Sequence, residues 1–214
     1  MKKVGVLGSG VVGQVLADGL LKHGYEVMRG SREPSKLAGW KEAAGPKAQI
    51  GSFVEAARFG EAVMLAVKGT AAEAALGQCR EVLAGKTVVD ATNPIADAPP
   101  VNGVLQFFTG PNESLMERLQ RLVPAAHLVK AFSCVGNAFM VDPAFPGGKP
   151  TMFICGDDAA AKRQVQTILD QFGWETEDLG AAEAARAIEP LCMLWCIPGL
   201  REGRWTHAFK LLKL

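Results

Sequence analysis

The stretch VGVLGSGVVG, residues 4–13, decides the fold of this chain. Its apolar start, residues 4–7, is typical of a buried strand, and a G-x-G-x-x-G pattern follows directly. Over residues 11–23 the apolar side chains recur at helical spacing, and residues 25–28 then indicate a second short strand. The order of strand, glycine turn, helix and strand is the context in which this pattern predicts nucleotide binding.

Each glycine of the pattern has a physical role. Gly8 allows a sharp turn, Gly10 allows a diphosphate to approach the backbone, and Gly13 allows the helix to pack closely on the strand. The unpaired amides at the start of the helix, with their partial positive charge, would hold the diphosphate. The sequence therefore predicts a dinucleotide site, and the open alternative is a glycine-rich turn that binds no ligand.

The end of the second strand predicts which dinucleotide is bound. NAD sites usually place an acidic residue there, but this chain has Arg29-Gly30-Ser31-Arg32. Ser31 and Arg32 supply the hydroxyl and the guanidinium that suit a 2′-phosphate, and Lys36 could add a second charge. Glu33 is expected to face solvent. The pattern favours NADP over NAD, and the alternative is an exposed basic turn.

The composition excludes several classes of protein. The 214 residues carry 23 Lys and Arg against 22 Asp and Glu, so a net charge of +1 gives no field that attracts nucleic acid. Five cysteines without a C-x-x-C pair form no disulfide framework, and with no secretory leader they fit a reducing cytoplasm. The apolar run 191–200 is too short to span a bilayer. We expect a soluble cytoplasmic protein with no nucleic-acid or membrane partner.

Strand and helix signals alternate along most of the chain, which predicts an α/β fold with a doubly wound, mainly parallel sheet. Ligands of such sheets collect beyond the carboxyl ends of the strands. Asn93, in the turn after residues 87–90, could contact a cofactor there or only close its own turn. Near the end, residues 181–196 predict one helix kinked at Pro190.

Six segments in a fixed order resemble a known family: LGSGVVG, GSR, AVMLAV, VVDATNP, VKAF and FICGDD. Together they are similar to the NADP oxidoreductases that use the deazaflavin coenzyme F-420. The cytosolic domains of the six-transmembrane metalloreductases share the same nucleotide-binding fold. The resemblance covers nearly the whole chain. It implies a single Rossmann-type domain, residues 1–214, with a core at 1–133 and a small C-terminal α/β extension at 134–214, usually in a homodimer.

The resemblance also implies positions for the ligands. The NADP(H) contacts would be Gly8, Ser9, Gly10, Val11 and Val12, with Ser31 and Arg32 on the 2′-phosphate, Ala66 and Val67 beside the nucleotide and Asn93 near the nicotinamide. A second pocket, for coenzyme F-420 or a flavin, would be walled by Ser133, Cys134 and Asn137 together with the C-terminal helix. The chain departs from the family pattern at Lys68, where relatives have Pro, and at Ser133-Cys134, where they have His-Thr.

The chemistry needs few side chains. Hydride transfer between two stacked rings requires near-attack geometry and exclusion of water, so the sequence nominates no catalytic residue. The histidines and cysteines have neither metal-site nor relay spacing, and structural roles are expected for them and for Trp195 and Trp205. Three hypotheses remain. The chain could reduce a deazaflavin or flavin-type acceptor, reduce another small substrate or ferric complex, or only sense NADP(H).

Overall fold

The structure, a computed structural model, describes residues 1–213 and is built around one parallel sheet. Six strands lie in the order β3-β2-β1-β4-β5-β6. They are β1 (Lys3–Leu7), β2 (Glu26–Gly30), β3 (Ala48–Gly51), β4 (Ala62–Leu65), β5 (Thr87–Asp90) and β6 (His127–Lys130). Two further strands, β7 (Thr151–Ile154) and β8 (Glu175–Asp178), pair in parallel with each other. This order is that of the Rossmann fold and confirms the predicted fold class.

Helices flank the sheet. They are α1 (Val11–Lys22), α2 (Ala38–Ala44), α3 (Phe53–Phe59), α4 (Gly69–Gly77), α5 (Leu115–Leu122), α6 (Ala159–Gln171), α7 (Ala185–Ile188) and α8 (Pro190–Glu202). Ser52 and Ser114 begin α3 and α5 with complete capping boxes, in which a glutamate three residues later bonds back to the serine amide. No helix within residues 1–213 is long and apolar enough to cross a membrane.

The prediction of one kinked helix over residues 181–196 is wrong. The chain forms a short 3₁₀ turn, then α7, and Pro190 begins the separate helix α8. Proline suits the first helical position, because the amide it lacks would have no partner there. The helix then continues past Pro198 and ends at Gly203, whose φ of 69° caps it in the left-handed region.

Alternating side chains of the strands supply two buried layers, one on each face of the sheet. On one face, Val6 and Met64 join a core that includes Leu16 of α1. On the other, Leu7 and Leu65 join a core with α3, α4 and α5. Each fully buried aliphatic side chain stabilises the fold by about 1.5–3 kcal/mol. These cores fix the carboxyl ends of the strands, where the candidate site lies.

A buried charge cluster, which we call the lysine clasp, joins the C-terminal region to the sheet. It consists of Asp90, Lys130 and Glu189, all at most 1% exposed. The Lys130 ammonium donates to Asp90 Oδ2 at 2.9 Å and lies 3.0 Å from Glu189 Oε1. Burial lowers the pKa of Lys130, but the two carboxylates outweigh it and the net shift is upward. The clasp ties Glu189, directly before α8, to β5 and β6, and the same carboxylate accepts from the first two amides of α5. The division into a core at 1–133 and an extension at 134–214 stays a prediction, and Leu214 lies outside the described residues.

Candidate functional site

The glycine loop between β1 and α1 is shaped by two close backbone approaches. A Cβ at Gly8 would lie 2.3 Å from the carbonyl oxygen of Ala66, and one at Gly13 would lie 2.6 Å from that of Gly8. Real Cβ atoms do not come so close to backbone oxygens, so both positions need glycine for packing alone. The first approach fixes the loop against the end of β4, and the second seats α1 on the loop.

Gly10 has no such need. Its φ of −78° suits any residue, and a Cβ placed there would meet no heavy atom within 4 Å. Gly10 precedes α1, which begins without a side-chain cap, so the amides of the first helical turn have no side-chain partner at the cap. A missing Cβ next to unfilled amides is what a diphosphate requires. The packing of the protein does not explain glycine at this position, but an anion would.

The end of β2 presents the residues predicted to read the 2′-phosphate. Ser31 is buried, and its Oγ accepts a hydrogen bond from the Glu33 amide at 3.1 Å, which leaves its hydroxyl proton free to donate. Arg32 is exposed and has no carboxylate within 4 Å among residues 1–213. Lys36 and Glu33 form an exposed ion pair at 2.9 Å. Of the two basic side chains that line this end of β2, Arg32 and Lys36, Arg32 is the one without a carboxylate partner among residues 1–213.

One cavity of about 230 Å³ connects these two features. The predicted cofactor residues that line it are Gly8, Ser9, Gly10, Ser31, Arg32, Lys36, Ala66 and Val67. Val11 lies at the start of α1 with its side chain exposed, Val12 is partly buried, and neither these two nor Gly13 or Asn93 lines the cavity. The fold thus brings together the glycine loop and the ends of β2 and β4, as the resemblance implies.

The far wall of the cavity was not predicted from the sequence. It is formed by α4, which presents Ala71, Ala74 and Ala75, and by Gln78 just after that helix. Alanines at i, i+3 and i+4 lie on one helix face, and their methyl groups leave space beside the strand ends. That spacing was the available signal. Lys68, at the start of the same helix, also lines the cavity and is paired with Asp97.

Arg29, the first residue of the segment that favours NADP, has a structural role that the sequence analysis did not identify. It is only 1% exposed, and its guanidinium donates to the carbonyl oxygens of Gly8 and Gly10, both at 3.2 Å. Its Nε is buried without a hydrogen-bond partner. A basic residue in a presumed turn gives no sign of such burial, so the sequence could not have identified it.

The residues predicted for the second pocket are mostly buried. Ser133 and Cys134 are 2% and 1% exposed, whereas Asn137 is exposed. Burial raises the pKa of the Cys134 thiol to about 11, so it is not a reactive thiolate at neutral pH. The Oγ of Ser133 and the Oδ1 of Asn93 are buried without hydrogen-bond partners. Asn93 therefore does not close its own turn through this oxygen.

The aromatic residues of the C-terminal region pack against one another. The rings of Trp195 and Trp205 are 5.6 Å apart, and His207 stacks on Trp195 at 4.9 Å. Trp195 also donates from Nε1 to the carbonyl of His207 at 2.9 Å. Within residues 1–213 no cluster of histidine, cysteine or acidic side chains could hold a metal ion.

A larger cavity of about 570 Å³ lies at the opposite end of β6. His127, the first residue of β6, lines it together with Asp157, Asp158 and Glu183. Ligands of doubly wound sheets bind at the carboxyl ends of the strands, and this acidic cavity lies at an amino end. Its one arginine, Arg121, is paired with Glu113, and the rest of its charged lining is mostly acidic, which does not suit a dinucleotide. The smaller cavity at the glycine loop is the candidate site.

Comparison with known proteins agrees with this geometry. The profile of the family described as "NADP oxidoreductase coenzyme F420-dependent" matches residues 3–94. The crystal structure of a protein from Arthrobacter sp. FB24, assigned to the F420-dependent NADP reductases, superposes with a TM-score of 0.92. Its sequence is 33% identical, and the match covers 100% of both chains. The chain belongs to the F420-dependent NADP oxidoreductase family.

Two curated relatives of this family member are longer proteins. Metalloreductase STEAP3 of Rattus norvegicus is 33% identical over 202 residues, which is 92% of this chain and 38% of the relative. The F420-dependent NADP reductase of Methanocaldococcus jannaschii is 30% identical over 141 residues, 65% of this chain and 62% of that one. The match thus spans less than two thirds of either relative. An imine reductase of Streptomyces aurantiacus, at 21% identity and a TM-score of 0.64, shares the fold.

Proposed function

We propose that this protein is an NADP(H)-dependent oxidoreductase that transfers hydride between NADP(H) and a deazaflavin or flavin-type acceptor. The observation that carries the proposal is the single cavity joining the glycine loop to Ser31 and Arg32. That cavity offers amides for a diphosphate at one side and an unpaired guanidinium for a 2′-phosphate at the other. Family membership supports the same ligand.

The shape and the free polar groups of the cavity suit a dinucleotide phosphate. The open position beside Gly10 and the uncapped start of α1 would receive the diphosphate. Ser31 and Arg32 would donate to the 2′-phosphate, and the methyl groups of α4 would border the adenosine. The nucleotide, when bound, supplies a hydride at its nicotinamide ring. In the reducing direction the acceptor would need one proton besides the hydride, and solvent would supply it.

The chain's part in the transfer is positioning and exclusion of water. Asn93 and Ser133 lie beyond the carboxyl ends of β5 and β6, and each keeps a buried oxygen without a partner. We propose that these oxygens orient the nicotinamide amide and the acceptor. Neither group is needed as an acid or base in a hydride transfer between two rings. The homodimer implied by the resemblance stays a prediction, and so does the cytoplasmic location expected from the cysteines.

The cofactor assignment is tested with Arg32→Ala. One charge-assisted contact is worth about 1.5–3 kcal/mol, so NADPH affinity should fall by about tenfold to a hundredfold. NADH affinity, measured by the same calorimetric titration, should change by less than about twofold, well below that loss. Arg80→Ala, an exposed arginine away from the cavity, is the matched control and should change neither affinity. If Arg32→Ala lost affinity for NADPH and for NADH to the same extent, the assignment of Arg32 to the 2′-phosphate would be contradicted.

The acceptor is tested by following NADPH oxidation with coenzyme F-420, riboflavin and a ferric chelate in parallel. The proposal expects turnover with the deazaflavin or the flavin. The similarity to a metalloreductase favours the ferric complex as the second candidate, which a rate confined to the ferric chelate would support. Tight NADPH binding with no turnover of any acceptor would favour an NADP(H) sensor and would contradict the oxidoreductase proposal.

A further inference from the structure

Arg29 is buried directly behind the glycine loop and does not line the cavity of about 230 Å³. Its Nη2 donates to both Gly8 O and Gly10 O. The ring of Trp40 covers the guanidinium, with Cζ 4.8 Å from the ring centroid. Arg29 lines a separate cavity of about 470 Å³ with Ser9 and Trp40. It is therefore outside the cavity of about 230 Å³, but it holds the backbone that borders that cavity.

The two hydrogen bonds determine which way the loop amides face. In a trans peptide the C=O and the N–H point in opposite directions. When Arg29 draws the carbonyls of Gly8 and Gly10 inward, the amides of Ser9 and Val11 are turned outward. Among residues 1–213, neither amide donates to a backbone carbonyl. These are two of the amides to which the proposed function assigns the diphosphate.

The charge of Arg29 is compensated only in part. No carboxylate lies within 4 Å of its guanidinium among residues 1–213. Burial lowers the pKa of Arg29, and the more distant Asp18 opposes that shift. Asp18 is itself engaged, because it accepts a hydrogen bond from Trp40 Nε1 at 2.7 Å. A buried cation without a contacting carboxylate leaves positive potential at the loop, and this potential adds to the dipole of α1.

We propose that Arg29 is a positioning residue of the diphosphate site, which turns the amides of Ser9 and Val11 toward the ligand and supplies positive potential behind them. The inference rests on the proposed function, since it takes the diphosphate of NADP(H) as the ligand. It assigns recognition of the dinucleotide to two arginines with separate roles. Arg29 serves the diphosphate shared by NADPH and NADH, and Arg32 serves the 2′-phosphate found only in NADPH.

The test compares Arg29→Met with Arg32→Ala on three probes: NADPH, NADH and adenosine 2′-monophosphate, which lacks the diphosphate. Arg29→Met keeps an unbranched side chain against Trp40 and removes the charge. It should weaken the binding of NADPH and of NADH by the same factor, about tenfold. The affinity for adenosine 2′-monophosphate should stay within about twofold of the wild-type value. Arg32→Ala should lower the affinity for NADPH and for adenosine 2′-monophosphate and leave the affinity for NADH unchanged.

The outcomes separate this inference from the proposed function. If the wild-type protein does not bind NADPH, the proposed function fails and the inference fails with it. If the wild type binds and Arg29→Met binds both dinucleotides equally well, only the inference is overturned. An equal loss of affinity for adenosine 2′-monophosphate in Arg29→Met would indicate that the substitution distorts the whole site, and this result would also overturn the inference. Should Arg29→Met not fold, Arg29→Gln, which removes the charge and keeps a side-chain donor, should weaken the binding of NADPH and of NADH by one equal factor. Unchanged affinity for both dinucleotides in Arg29→Gln would then overturn the inference.

Discussion

Two buried cations lie in opposite halves of the sheet and differ in the groups that surround them. Lys130, at the end of β6, is 0% exposed and contacts two carboxylates, Asp90 and Glu189. Arg29, in β2, is 1% exposed, donates to two carbonyl oxygens, lies under an aromatic ring and forms no ion pair within residues 1–213. Both charges lie near the edge of the sheet where ligands bind. One is neutralised by the protein, and the other is left to an outside partner.

This difference distinguishes a charge cluster with a structural role, the lysine clasp, from a charge that is suited to ligand recognition, that of Arg29. An ammonium between two carboxylates has its charge more than balanced, so the clasp has no net attraction for an external anion. It joins α8 to the sheet instead. A guanidinium held by neutral groups stays electrostatically incomplete, and an anion bound at the adjacent loop would complete it. Burial of a charge is therefore informative only together with the charges around it.

The largest expected effect is on the clasp. Lys130→Met leaves two buried carboxylates without their cation, which should lower the free energy of unfolding by about 3–5 kcal/mol. Urea denaturation of Lys130→Met and wild type measures it. The matched control is Lys22→Met, which breaks the exposed pair with Asp142 and should cost at most about 1 kcal/mol. Similar losses in both variants would remove the distinction between the clasp and a surface ion pair.

The glycine loop supported by Arg29 offers the next test. Gly8→Ala forces a Cβ onto the carbonyl of Ala66 and should destabilise the fold by about 1–3 kcal/mol. Gly10→Ala meets no atom within 4 Å and should change stability by less than about 1 kcal/mol. NADPH affinity should nevertheless fall in Gly10→Ala, since the new methyl group occupies the approach to the loop. Unchanged NADPH affinity in a folded Gly10→Ala protein would show that the ligand lies elsewhere.

Arg29→Met should affect stability less than Lys130→Met does. It removes two hydrogen bonds to neutral carbonyls but also removes a buried charge, so the loss should stay below about 2 kcal/mol. Urea denaturation of the two variants under one set of conditions gives the comparison. A loss in Arg29→Met as large as that in Lys130→Met would mean that Arg29 is a second structural clasp.

The smallest expected effect is at a third charged pair, nearer the surface. Arg186 and Ser114 hold the pKa of Glu117 down to about 2, from an ordinary value of 4.5. The resulting stabilisation is complete above about pH 4.5 and is lost as the pH falls toward 2. Arg186→Met should lower the melting temperature at pH 7, and by less as the pH approaches 2. Melting temperatures between pH 7 and pH 2.5 test this, and a cost independent of pH would contradict it.

Local signals in the sequence predicted much of the fold. The glycine pattern predicted the first turn, and the helical spacing after it predicted α1. The course of α8 was not predicted, since a proline can begin a helix as well as bend one. Pro198, inside the helix, shows that tertiary packing outweighs local preference there.

The candidate site divides in the same way. Gly8, Gly10, Ser31 and Arg32 lie in one contiguous stretch, so their meeting in the fold could be predicted. The clasp could not be, because Lys130 and Glu189 are 59 positions apart and charged residues are ordinarily exposed. The burial of Arg29 depends on Trp40 and the loop carbonyls, which no local pattern links to it. Ser133 and Cys134 were predicted from resemblance alone, and their role in an acceptor pocket stays a prediction.

The most direct test of the central claim is a crystal structure of the protein grown with saturating NADPH. The account predicts the diphosphate on the amides of Ser9 and Val11, next to Gly10, and the 2′-phosphate within hydrogen-bonding distance of Ser31 and Arg32. A nucleotide bound outside this cavity, or an adenosine ribose far from Arg32, would contradict it.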